Sequence, residues 1–103
     1  MSDKKNGEFL MYRGRPLVRK GDEIYYGKMN DRFVIKLQVV SKSTVNSEEI
    51  ADQVNVLLID TEEIMNPRRS IVKRSEKKGL YQAMDIGAVW LDRALSDYEK
   101  HNA

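Results

Sequence analysis

The chain has 103 residues, 41% of them hydrophobic and 33% charged, with 18 basic and 16 acidic side chains and a net charge of +2. That length and balance fit one soluble globular domain over residues 1–103 and exclude a disordered, low-complexity chain. Cys is absent, which removes disulfides, thiol nucleophiles and cysteine zinc sites.

No apolar run approaches the roughly 20 residues needed to span a bilayer, and residues 1–8 carry no apolar signal core. A cytoplasmic protein with no membrane partner is therefore expected. The charge is unevenly spread. Residues 1–36 hold nine basic and five acidic side chains, 37–66 hold one and six, 67–78 hold six and one, and 79–103 hold two and four. Such blocks either neutralise each other inside the fold or mark partner faces.

Residues 1–8 are polar and expected to be disordered. Residues 9–12 form a short apolar run and predict a strand. Arg13-Gly14 turns the chain. Pro16 cannot donate to a ladder, so the strand with Leu17 and Val18 lies at an edge or begins at Pro16. Lys20-Gly21-Asp22 is the next turn, residues 23–26 alternate as a strand, and residues 27–31 turn again.

Residues 32–42 give the strongest strand signal. Phe33, Ile35, Leu37 and Val39 point one way; Val34, Lys36, Gln38, Val40 and Lys42 point the other. The second face is half polar and suits solvent or a partner rather than another sheet. Residues 43–49 read as a polar connection. Residues 52–60, with a start as early as Ile50 allowed, form the matching strand of an antiparallel hairpin. Val54, Val56 and Leu58 oppose Gln53, Asn55, Leu57 and Ile59 along it.

Residues 61–78 read as an irregular basic crossing, broken at Asn66-Pro67. Beyond it Leu80, Met84, Gly87, Ala88, Leu91, Ala94, Leu95 and Tyr98 recur at helical spacing. Lys77 and Lys78 oppose the helix dipole in a first turn, so the helix is placed at 79–99 with its start at Gly79 rather than Ser75. Gly87, with Ala83 and Ala88, allows a close approach to a sheet. The sum is an α+β domain: an antiparallel β-meander of four to five strands over 9–60, with one C-terminal helix packed across one face.

No catalytic constellation emerges. His101, the only His, sits near the end of the chain. Glu48-Glu49 and Glu62-Glu63 are neighbours that diverge on a strand. No phosphate-binding glycine loop, dinucleotide fingerprint or serine elbow is present. The sequence thus predicts a non-enzymatic protein without catalytic, metal or cofactor residues.

Two binding readings remain. Single-stranded nucleic acid needs cations for phosphates and aromatic faces for bases. Segments 13–20 and 68–78 offer Arg13, Arg15, Arg19, Lys20, Arg68, Arg69, Lys73 and Arg74, followed by Lys77 and Lys78, with Tyr12, Tyr25, Tyr26 and Phe33 as stacking candidates. Protein association needs an apolar patch. Val34, Val40, Leu57 and Ile59 share the outer sheet face and would serve a homodimer, unless Ile64, Met65, Ile71 and Val72 fold back over them. Trp90, at the edge of the helical stripe, is either core or a partner contact. The favoured expectation is a small binding or regulatory module acting through a protein partner or a second copy, with single-stranded nucleic-acid binding as the alternative.

Tyr12-Arg13-Gly14-Arg15-Pro16-Leu17-Val18-Arg19 and Ile24-Tyr25-Tyr26-Gly27, with Gly79-Leu80-Tyr81 and Asp85-Ile86-Gly87-Ala88-Val89-Trp90-Leu91, resemble a group of small single-domain bacterial proteins of unknown function. These occur chiefly in anaerobic Gram-positive species, and the resemblance covers residues 9–95. It implies a bacterial cytoplasmic protein and carries over no activity, ligand or site residue.

Overall fold

Alternating apolar residues become strands and the helical stripe becomes a helix in the computed structural model, which describes residues 10–102. The expectation of disorder at 1–8 lies outside the described residues, as does Phe9. Eight strands are present among them: β1 (Leu10–Tyr12), β2 (Arg15–Lys20), β3 (Glu23–Tyr26), β4 (Phe33–Val39), β5 (Lys42–Val45), β6 (Glu48–Ala51), β7 (Gln53–Asp60) and β8 (Ile71–Lys78). A 3-10 turn at Thr61–Glu63 and a single-turn helix α1 (Pro67–Ser70) precede β8, and helix α2 (Leu80–Asn102) follows it.

Six strands form one antiparallel sheet in the order β1-β2-β3-β4-β7-β8, while β5 and β6 pair only with each other. The domain is α+β with its C-terminal helix on one face. The large sheet has one strand more than the upper number expected, because the basic segment adds β8 at its edge.

The register sorts the side chains. Ile35 faces Leu58 and Leu37 faces Val56 across β4 and β7, while the residues between them, Val34 with Ile59 and Lys36 with Leu57, pair on the opposite side. The first set joins Ile24, Tyr26 and Val54 to bury Ala83, Met84, Ala88 and Leu91 of α2. Gly87 permits this closeness: a Cβ there would lie 3.0 Å from Ile35 Cγ2. The second set, Val34, Leu57 and Ile59 with the half-buried Ile71, makes a smaller core.

Two connecting segments are more regular than expected. Residues 43–49 are not a simple polar loop but most of the β5–β6 hairpin. Asn46 and Ser47 both adopt positive φ, 51° and 67°, the backbone that closes a two-residue turn between twisted strands. The segment is polar because neither of its faces is covered. Residues 61–78 are likewise structured throughout. The Asp60 carboxylate accepts from the Glu62 N–H and the Asn66 side chain accepts from the Arg68 N–H, capping the two short turns. Pro67 sits in the first turn of α1, where its missing N–H costs nothing.

The cations of 71–78 then alternate along an edge strand. Charged residues and a bulge keep an exposed edge from pairing with other chains; β8 has both, its register slipping between Leu58 and Ile59 so that Val72 has no partner. Helix α2 starts one residue after Gly79 and runs to Asn102, a turn beyond the expected end.

Candidate functional site: the helix-free face of the sheet

The two basic segments do not converge. Arg13 and Arg15 turn toward α2, where Arg13 pairs with Asp85 at 2.6 Å and Arg15 pairs with Asp92. Arg19 donates to the Gly21 carbonyl at 3.1 Å. Lys20 pairs with Glu23 in the ladder and so sits on the opposite face. Lys73 is on the helix side, its ammonium 4.7 Å from the centre of the Trp90 ring. Arg74, opposite Leu57, is on the helix-free face, and Arg68 and Arg69 are exposed on α1. The proposed ten-cation surface is therefore divided between two faces. Its first half is partly consumed by the acidic side of α2, which is the internal neutralisation the charge blocks allow.

The stacking candidates are mostly spent as well. Tyr26 is buried, lies edge-on to Tyr12 at 5.8 Å and donates its hydroxyl to the Tyr12 carbonyl. Phe33 meets Tyr98 edge-on at 6.2 Å, with the Arg32 guanidinium over both rings. Only Tyr25 borders the helix-free face.

The apolar patch expected from Val34, Val40, Leu57 and Ile59 is not exposed as a unit. Val34, Leu57 and Ile59 are 2%, 3% and 9% exposed, because Ile64, Pro67 and Ile71 of the crossing lie against this face. Val40 falls just past β4 and is exposed apart from them. Of the four residues expected to form the roof, Ile71 packs on the small core, whereas Met65 and Val72 remain exposed. Trp90 packs against the main core beneath Lys73.

A groove of about 370 Å³ remains between this face and the crossing. Val34, Leu57 and Ile59 lie at its base, Met29, Ile64 and Pro67 on its walls, and Tyr25, Lys36, Gln38 and Arg74 along its polar side. Lys36 sits 3.1 Å from Glu23 Oε2, and the Tyr25 hydroxyl donates to Glu23 Oε1 at 3.0 Å. These two hydrogen bonds, Lys36 foremost, hold the Glu23 carboxyl below its ordinary range. Burial is the largest single influence on Lys36 and opposes its charge, but Glu23 and Tyr25 together outweigh it and raise that pKa. Arg74 has no carboxylate partner among the described residues, nor have Arg68 and Arg69 on the helix whose Pro67 and Ser70 line the groove.

At one end of the groove wall the 3-10 turn is pinned. Arg32 Nε and Nη2 donate to the two Asp60 carboxylate oxygens at 2.8 and 3.0 Å, and Asp60 is 7% exposed. The Arg32 bonds hold the Asp60 carboxyl below its ordinary range. No group of three or more His, Asp or Glu side chains among the described residues is placed to hold a metal ion. Among the described residues no helix is long and apolar enough to cross a membrane.

Sequence reasoning found Arg74, the half-polar outer face and Ile64 as a residue that could fold over it, but missed Met29 and Pro67 as groove walls. The alternation of β4 signalled the face; nothing local signals which loop comes to rest beside it. No protein-family model, curated protein or solved structure matches the chain.

Proposed function

We propose that the chain is a non-enzymatic, cytoplasmic binding module of a bacterial cell, and that its groove takes a protein segment carrying acidic and small apolar side chains together. One observation carries the reading: an apolar trough, walled by Met29 and Ile64, runs beside Arg74 and the α1 cations, which no carboxylate of the described residues answers. Met29, Ile64 and Met65 are 57%, 50% and 93% exposed. Exposed apolar side chains in such a setting suit anchoring, and Met adapts to varied partners. The cations steer and orient an acidic segment more than they add to its affinity. A nucleic-acid reading is weaker here, because Tyr25 alone lines the groove among aromatics, and its hydroxyl is already held by Glu23.

Fluorescence anisotropy tests this with two labelled probes at low and moderate salt: a short peptide alternating Glu with Val or Ile, and a single-stranded oligonucleotide. Peptide binding that weakens about tenfold with Arg74→Glu, roughly the effect of 1.4 kcal/mol, supports the reading. Oligonucleotide binding with a salt slope of about −0.7 per neutralised phosphate, without peptide binding, overturns it in favour of single-stranded nucleic acid.

A further inference from the structure

The β5–β6 hairpin is the other element without a covering layer. Residues 42–50 are all exposed, and a two-stranded hairpin alone is marginal in water. Its base is fixed: Lys42 pairs with Asp22 at 3.0 Å, and the Gln53 N–H donates to Ser41 Oγ at 3.2 Å. Its register gives it two unlike faces. Ser43 lies opposite Ile50 and Val45 opposite Glu48, so Val45, Ile50 and Glu48 share one face, while Lys42, Thr44, Glu49 and Ala51 share the other. Val45 and Ile50 are 49% and 47% exposed. The first face therefore presents two branched apolar side chains that match the apolar lining of the groove, beside a carboxylate of the kind that Arg74 lacks among the described residues.

In its own chain the hairpin does not line the groove. The Gln38 end of the groove is next to the hairpin base, whereas its Met29 and Ile64 walls lie beyond Phe33 and Asp60, the other ends of β4 and β7. Six residues of strand separate Gln53 at the hairpin base from Ile59 near that far end, roughly 20 Å at 3.3 Å per residue.

We infer that the occupant of the groove is the β5–β6 arm of a second copy of this chain, inserted with Val45 and Ile50 against Met29 and Ile64 and with Glu48 beside Arg74. The arm and the Met29–Ile64 end of the groove lie at opposite ends of the β4–β7 pair, so two copies related by a two-fold axis, antiparallel along their strands, exchange arms reciprocally and close the assembly. The inference rests on the groove reading above and names its partner.

Sedimentation and light scattering of the full chain across a concentration series test it. The wild type should pass from monomer to dimer. Glu48→Lys and Arg74→Glu should each weaken the dimer about tenfold, and the double variant should recover most of the loss. Val45→Ser with Ile50→Ser should also weaken it, since both side chains are exposed and neither supports the fold. Unchanged far-ultraviolet circular dichroism verifies that each variant is folded. A wild type that stays monomeric, a dimer indifferent to both charge reversals, or a double variant no better than either single one overturns the exchange. If the protein is monomeric but still binds the Glu/Val peptide through Arg74, self-association falls and the groove reading stands. If neither dimer nor peptide binding is seen, both fall.

Discussion

Leu91 and Leu57 are both buried leucines, yet they stand on opposite sides of the same sheet and in different kinds of core. Leu91 projects from a 23-residue helix onto the sheet, among Ile24, Tyr26, Ile35, Leu37, Val54, Val56 and Leu58. Leu57 shares its cluster only with Val34, Ile59 and the half-buried Ile71, beneath a short crossing that leaves a groove open beside it. The strands supply apolar residues to both faces. The length of the covering element decides which face closes and which stays available.

The largest expected effect tests that asymmetry directly. Leu91→Ala should cost about 4 kcal/mol in urea unfolding and Leu57→Ala about 2, within the usual range for buried leucines. The gap reflects the cavity: the site beside the groove can relax or admit water, whereas the helix-covered one cannot. Equal losses would mean that the second face is as closed as the first.

Asp60 lies at the end of β7, where the crossing that roofs the second face begins. Asp60→Asn should cost about 2 kcal/mol, the usual scale for breaking a largely buried charged hydrogen bond. Because the folded Asp60 carboxyl titrates below its ordinary value, its contribution is complete above about pH 4 and disappears as the pH falls through the lower folded value. Acid unfolding of the wild type should therefore steepen below pH 4, and the Asn variant should lose that component. An unchanged acid limb in the variant would detach Asp60 from the stability of the roof.

Lys73→Ala should cost about 0.5 kcal/mol through the lost cation–π contact and shift Trp90 emission to the red as its ring meets water. At the small end, Arg68→Ala with Arg74→Ala should leave stability within about 0.5 kcal/mol while lowering affinity for the acidic peptide. A clear loss of stability would make these cations structural and break the contrast between a load-carrying face and a recognition face.

The helix-covered face was legible in residue spacing: the alternation in 32–42 and 52–60 and the stripe from Leu80 to Tyr98 reappear as β4, β7 and α2. Val34, Leu57 and Ile59 were legible as outer-face residues, while the sequence left open whether the 61–78 crossing covers them. Their burial depends on Ile64, Pro67 and Ile71 arriving from a segment with no apolar period of its own. The basic run of 67–78 was misleading for a related reason. A solvated strand edge and a phosphate-binding surface draw on the same residue types, and only the pairing of β8 with β7 separates the cations on its two faces.

What the sequence by itself determined is the strands of residues 10–39 and 53–60, the C-terminal helix and the identity of the main core between them, because strand and helix periods are set by backbone geometry within a few residues. Only the tertiary structure decided the electrostatics and the candidate site. Arg13 meets Asp85 and Arg15 meets Asp92 across 72 and 77 residues of chain, which takes two cations away from any partner. The groove exists because a turn and a four-residue helix stop short of covering the face beside them. Such pairings follow from which surfaces are brought together, and no local period encodes that.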